Sequence, residues 1–463
     1  MSILPQWLRR TVHAGGSEGL EKTDLTLGFI PLTDCAPLVV AKELGFFERA
    51  GLSVGLSKET SWANIRDKVA IGILDGAQML APMPIAATLG IGPLEKPTVA
   101  ALSLDLNGNA ITVSNALYER MRALDPSSLG RRPCTAESLK LAIVERRAQG
   151  GRPLTFAVVF PVSTHAYQLR YWMASAGIDP DRDVRLLVVP PPQMVTQLRA
   201  GNIDGYCVGE PWSSVAVAEG LGRVLISSHE IWNNSPEKVF GVNLEWAEQY
   251  PNTHRALLGA LLEAARWSDA LENRPAVAEL IAQSRYVNAP ASIVRQSMTG
   301  TFRYAQDEPP VAMPDFNCFF RFGASFPWRS HALWFLTQMV RWGQLDRALD
   351  LKSVAAQIYR PDLYRDCALA LGLAVPSIDE KPEGLHPRGW TLTDASVPLP
   401  MGPDLFFDGR PFDPADPVGY IAGFEVHCRA CGIDELAAVN RGPGVRAGAI
   451  ARAEGLAPAE RNR

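Results

Sequence analysis

The sequence predicts an α/β protein of two lobes with a ligand cleft between them. Three observations carry that expectation: the length, a β-α-β-α-β pattern that occurs twice, and turn residues that keep register between the two occurrences. The chain has 463 residues, beyond the roughly 250–300 at which a single core stops growing. It is 47% hydrophobic and 20% charged, a globular composition that excludes disorder as the main state.

Taking the elements in order, residues 25–30 read as a strand, closed by Pro31-Leu-Thr-Asp34. Ala36, Leu38, Val39, Ala41, Leu44 and Phe47 then follow helical spacing. Residues 52–56 read as a strand, 61–71 as an amphipathic helix, and 77–80 as a strand after the Asp75-Gly76 turn. The second occurrence runs through a strand at 155–160, Pro161, a helix at 165–176, a strand at 184–189, a helix opening at Pro191, and a strand at 206–208. Pro31 and Pro161 lie 130 residues apart, while Gly72 and Gly201, Asp75 and Asp204, and Pro82 and Pro211 lie 129 apart. Flanking elements that repeat in the same order make this an internal duplication, the kind of self-similarity worth seeking first.

Two such units place a cleft at the carboxyl ends of their strands, where helix N-termini present unpaired N–H groups and a positive dipole end. The segments leading there are Pro31-Leu-Thr-Asp34, Glu59-Thr-Ser-Trp62, Pro161-Val-Ser-Thr-His165 and Val208-Gly-Glu-Pro211. A small anion is the expected occupant. Residues 239–242 read as a further strand, and 245–272, 276–284 and 326–342 as helices returning to the first lobe. The chain is expected to cross the cleft near 107–114 and again near 231–240. The expected organisation is an N-terminal extension (1–24), lobe 1 (25–112 plus 233–375), lobe 2 (113–232), and a Pro-rich, irregular C-terminal extension (376–463) with a frayed end.

Lys and Arg number 45 against 49 Asp and Glu, a formal net charge of −4, so no global field favours nucleic acid or an anionic membrane. An anion must be held locally. Seven cysteines, an odd number scattered among apolar neighbours, suit a reducing compartment. The pair Arg9-Arg10 is followed by Thr-Val-His-Ala-Gly-Gly-Ser-Glu, too polar for the core of a secretory signal, and no run of about 18 apolar residues occurs. A cytoplasmic address is expected. Cys428-Arg-Ala-Cys431 has no second pair to complete a zinc site, and no P-loop, H-E-x-x-H or G-x-S-x-G phrase is present.

Several stretches together resemble the nitrate/bicarbonate-binding proteins of the NrtA/CmpA family. They are Leu27-Gly-Phe-Ile-Pro-Leu-Thr-Asp-Cys-Ala-Pro-Leu-Val-Val-Ala-Lys-Glu-Leu-Gly-Phe-Phe47, Ser61-Trp62 with Arg66-Asp67, and Asp75-Gly-Ala-Gln-Met-Leu-Ala-Pro-Met-Pro84. Further along they are Thr164-His-Ala-Tyr-Gln-Leu-Arg-Tyr-Trp172, Gly209-Glu-Pro-Trp212, Pro236-Glu-Lys-Val-Phe240 and Phe406-Phe-Asp-Gly-Arg-Pro-Phe-Asp-Pro-Ala-Asp-Pro-Val418. The resemblance spans residues 25–425. It implies a periplasmic-binding-protein-like fold of type II, a non-enzymatic binding function, and no cofactor. Within it, the cytoplasmic NasS-type nitrate/nitrite sensors, which hold an ANTAR-domain RNA-binding antiterminator (NasT type) inactive until ligand binds, match a chain without an export signal. The alternatives are a binding component of a nitrate ABC transporter and an enzyme related to thiamine-pyrimidine synthesis.

By resemblance, Trp62, Asn109, His165 and Lys238 fall on ligand-binding positions, with Gln78, Thr164 and Gly209 beside them. Their chemistry suits a planar, singly charged oxyanion: Lys238 supplies charge, His165 a ring N–H, Asn109 an amide donor, and Trp62 an N–H or a π face. At the position of Lys238 the resemblance implies an acidic residue in bicarbonate binders, so lysine points to nitrate or nitrite without a metal. Each residue has a plainer reading. Lys238 could be a solvated surface lysine, His165 a helix-start residue capped by Thr164, Trp62 core, and Gln78 a satisfied buried amide.

Overall fold

The computed structural model describes residues 19–440. The Arg9-Arg10 pair and the expected fraying over 446–463 lie outside those residues. Two sheets organise the chain. Strands β1 (Asp24–Phe29), β2 (Ser53–Lys58), β3 (Gly76–Leu80), β4 (Thr98–Asn107) and, after the second sheet, β10 (Pro236–Asn243) form the first. Its order is β2-β1-β3-β10-β4, with the short strand Asn317–Cys318 at the β4 edge. The second sheet contains β5 (Asn109–Ser114), β6 (Thr155–Val158), β7 (Arg185–Val188), β8 (Gly205–Gly209) and β9 (Gly222–Ser227), in the order β7-β6-β8-β5-β9.

The repeat is visible in the hydrogen bonds. β1 pairs in parallel with β2 and β3, as β6 does with β7 and β8. Antiparallel strands then follow at β3 and at β8. Asp75 Oδ2 accepts the Thr26 N–H at 2.9 Å and Asp204 Oδ2 the Thr155 N–H at 2.8 Å, each across 49 residues. Gly72 and Gly201 both adopt positive φ, 76° and 69°, a turn conformation that glycine enters at no steric cost. The repeated phrase is therefore a working turn and clasp that starts the third strand of each unit.

The chain first crosses between sheets at Asn107 and Gly108, both with positive φ. A Cβ on Gly108 would stand 2.7 Å from Asn317 Oδ1, a side-chain tip that would have to shift, while the positive φ itself favours glycine at the crossing. Asn109 to Thr112 consequently belong to the second sheet, and the expected lobe boundary at 112 moves back to 108. The second crossing, through Trp232 to Ser235, is overlaid by the C-terminal segment: Phe406 stacks on Trp232 at 4.5 Å, and Asn233 Oδ1 accepts the Leu405 N–H at 3.0 Å. That segment is thus packed, with Phe406, Phe412, Ile421 and Leu436 buried. The helix expected over 245–272 is two helices, Leu244–Gln249 and Pro251–Asp269, because proline has no N–H for an interior helical bond but suits a first turn. No strand had been expected at β4, which is buried along its whole length.

Candidate functional site

Between the sheets the expected approach segments meet. The Thr33 N–H donates to the Glu210 carbonyl at 2.8 Å and Trp212 Nε1 to the Pro31 carbonyl at 3.2 Å, joining the turn after the first strand of one unit to the turn after the third strand of the other. Ser61 caps the helix Trp62–Ala70, and Ser163 caps Thr164–Ser175 by accepting the Ala166 N–H at 3.0 Å. Trp62 and His165 therefore stand in the first turns of two helices, one from each unit. The cap at His165 belongs to Ser163, not Thr164, whose hydroxyl donates to the Pro236 carbonyl at 3.3 Å.

Lys238 is wholly buried, which removes the reading of a solvated surface lysine. Its ammonium lies 2.7 Å from Asp34 Oδ2, also pairs with Glu237 Oε1, and sits 5.5 Å from the Trp62 ring centroid. Consecutive strand residues normally face opposite sides of a sheet. Here register shifts at Pro236/Lys238 and Lys238/Val239 mark a bulge, which turns a side chain out of alternation, so that Glu237 and Lys238 share one cluster. The expectation of a lone compensating cation is corrected on this point: one ammonium faces Asp34, Glu237 and, from β4, Asp105.

Asn109 is corrected as well. Its Nδ2 donates to Glu237 Oε2 at 2.6 Å and to Gln168 Oε1 at 3.2 Å, so its donors are spent, and its Oδ1 has no partner. Gln78 is the satisfied amide, accepting the Ile30 N–H at 2.8 Å and donating to Asp34 Oδ1. Gly209 stands opposite Asn109 in the β5–β8 ladder. A Cβ there would lie 3.3 Å from Asn109 Oδ1 and 3.5 Å from Asp34 Oδ2, so this glycine keeps the cluster from being crowded.

Burial raises the Asp34 carboxyl against the pull of Lys238, raises Glu237 likewise, and raises Asp105 furthest, with the Asp34 charge adding to it. Burial works against the Lys238 ammonium too, but Asp34, Glu237 and Asp105 outweigh it and hold its pKa above that of a free lysine. Burial and Lys238 press His165 far below the usual histidine range, so its ring is neutral and carries one N–H. His165 Nε2 is 3.4 Å from Glu237 Oε1, and neither ring nitrogen makes a hydrogen bond. Trp62 Nε1, Asp105 Oδ2 and Thr33 Oγ1 are buried without a partner too. Such groups cost about 1–3 kcal/mol each when left unmet, and several in one cleft mark a place built for a polar ligand.

Asp34, Asp105, Glu237 and Gln168 were not identified from the sequence as site residues. A lone Asp within the apolar run of β4 was the available signal for Asp105. Among the described residues no trio of His, Cys, Asp or Glu converges to hold a metal ion, and no helix is long and apolar enough to cross a membrane. Cys428 is exposed, 3.4 Å from Asp181 Oδ2, and Cys431 is buried, both unpaired.

Two α/β lobes joined by crossing strands, with polar groups from both meeting in the cleft, define a binding protein of the periplasmic-binding-protein type. The crystal structure of the periplasmic nitrate-binding protein NrtA from Synechocystis PCC 6803 superimposes with a TM-score of 0.77 at 30% identity, covering 88% of this chain and 100% of that one. The NMT1-like family profile matches residues 18–282. The chain belongs to that family, in the group of NrtA/CmpA-type nitrate/bicarbonate-binding proteins. It is 34% identical over 422 residues to the nitrate/nitrite binding protein NrtA of Nostoc sp., covering 90% of this chain and 88% of the relative. It is 43% identical over 419 residues to the nitrate import ATP-binding protein NrtC of Synechocystis sp., covering 90% of this chain but only 57% of that relative.

Proposed function

We propose that the chain is a non-enzymatic binding protein that closes on nitrate or nitrite in this cleft and reports the ion to a protein partner in the cytoplasm. The observation that carries the anion reading is the pair of unmet, buried N–H groups of Trp62 and His165 beside the Lys238 ammonium. A planar oxyanion accepts from both helix starts at once and needs one positive charge near it. Calorimetric titration with nitrate and nitrite, without metal, is expected to give micromolar dissociation constants, about −8 kcal/mol. Heat with neither ion sinks this reading.

Bicarbonate is the second ligand to titrate, because Asp105 Oδ2 and Asn109 Oδ1 are unmet acceptors and bicarbonate brings its own O–H. Tighter binding of bicarbonate than of nitrate would favour it.

For the partner, the proposed reading is an ANTAR-domain RNA-binding antiterminator (NasT type), with no direct contact between this chain and nucleic acid. Closure changes the outer surface, so a partner that prefers the open form is released as ligand accumulates, and reciprocally weakens ligand binding. Size-exclusion chromatography of the two proteins together, with and without nitrate or nitrite, tests it. A complex that survives saturating ligand favours the other reading, a binding component of a transporter, which cell fractionation would then locate.

A further inference from the structure

Any anion in this cleft must first meet a problem of charge. Asp34, Asp105, Glu237 and Lys238 are between 0% and 2% exposed, too dry for water to screen an imbalance. The ion pairs of Asp34 and Glu237 both run to Lys238. Asp105 feels the Lys238 charge but makes no close ion pair; its Oδ1 accepts the Lys238 backbone N–H at 2.9 Å and its Oδ2 has no partner.

The other elements packed on the cluster add no positive charge. The helix Thr164–Ser175 brings His165, which is neutral; the turn after β1 brings Cys35 and β8 brings Cys207, thiols that burial keeps protonated. At the end of β8, Glu210 is another buried carboxyl, pushed up to about 7 by burial, with Oε1 unpartnered. Asp34 and Glu237 alone outnumber the one ammonium, before Asp105 is counted. A singly charged oxyanion deepens that deficit unless the carboxyls give way.

We propose that the oxyanion enters the cleft together with at least one proton, taken from solvent or buffer onto the carboxyl cluster of Asp34, Asp105 and Glu237 around Lys238. For each proton bound, one O–H bond forms on a carboxyl and one bond to hydrogen breaks in the buffer acid or hydronium that gives it up; no other bond changes. The site then takes up the elements of an acid, and the carboxyls set how tightly a given anion binds at a given pH. This rests on the reading of the cleft as an oxyanion site. By linkage the carboxyls have higher pKa values in the complex than without it, so affinity falls as pH rises, by up to about tenfold per pH unit for each proton.

The test is calorimetry of the full chain with nitrate and nitrite from about pH 6 to about pH 9, in paired buffers of different ionisation enthalpy, so that the observed heat reports protons bound. The expected result is an uptake of one proton or more per anion, with a dissociation constant that climbs with pH. Asp105→Asn and Glu237→Gln, which keep the shape and one acceptor oxygen, are each expected to lower the uptake and flatten the pH dependence. Binding with a pH-independent constant and no proton uptake overturns the proposal while leaving the oxyanion reading intact. Uptake unchanged in both variants overturns the carboxyl cluster as the acceptor. Absence of binding at every pH overturns the oxyanion reading, and the proposal with it.

Discussion

Two buried lysines sit among carboxyls in this molecule, and the way their neighbours are satisfied separates a candidate binding site from a fastener. Lys238 stands in the cleft; Lys381 lies within the C-terminal segment, paired with Glu383 and 3.9 Å from Asp404. Each faces a tryptophan ring, Trp62 at 5.5 Å and Trp328 at 5.4 Å, and each has a neutral histidine nearby, His165 and His331, with both ring nitrogens unbonded. The carboxylate oxygens differ. Around Lys381 every one has a donor: Ser330 Oγ and Lys381 for Glu383, Trp232 Nε1 at 2.8 Å and the Gly384 N–H at 2.9 Å for Asp404. Around Lys238, Asp105 Oδ2, Asn109 Oδ1 and the Trp62 N–H are unmet. Carboxylates whose oxygens are all met hold one arrangement, whereas acceptors and donors left short can be completed by a ligand.

The sharpest way to break the comparison is to remove each ammonium. Lys381→Met leaves two buried carboxyls without their cation and is expected to lower stability by about 3–5 kcal/mol, read by chemical denaturation, with nitrate affinity nearly unchanged in what folds. Lys238→Met also strands buried carboxyls, Asp34 and Glu237, and should lower stability too. It alone should weaken nitrate binding, by more than about 100-fold, about 2.8 kcal/mol, in protein whose circular dichroism spectrum is native. Equal effects of the two on affinity would erase the distinction.

Titration sharpens it next. Burial pushes Glu383 up to about 7 from its ordinary 4.5, against the pull of Lys381. A carboxyl raised in the folded state binds more protons folded than unfolded between those two values. Stability is therefore expected to fall as pH rises through that window, by up to about 3 kcal/mol, measured by urea denaturation at both ends. Glu383→Gln should remove that part of the slope, and a slope unchanged by it would assign the effect to other groups.

The smaller effects concern single donors. Trp232→Phe strips Asp404 of a donor and should cost about 1–3 kcal/mol of stability. Trp62→Phe loses an N–H that no protein atom uses, so the expected cost is about 1 kcal/mol of anion affinity and little stability, by calorimetry and denaturation respectively.

Much of the site was legible residue by residue, but not its charge. Trp62, His165 and Lys238 do converge, as motif and helix-start placement implied. Thr164 and Gln78 turned out to be committed to backbone and to Asp34. Asp105 was missed because a single polar residue in an apolar run has no local signature. Glu237 was seen only as a neighbour of Lys238, since strand alternation would send the two to opposite faces and a bulge does not announce itself in composition.

By itself the sequence determined the two α/β units and their meeting turns, because hydrophobic period, proline and glycine act over a few residues. Asp75 and Asp204 clasp the first strand of each unit at the same spacing, as the repeated phrase implied. Only the tertiary structure decided that Lys238 is neutralised where it stands, for Asp34, Asp105 and Glu237 come from separate strands and turns. Their protonation depends on distances and burial that exist only once both sheets have closed on them.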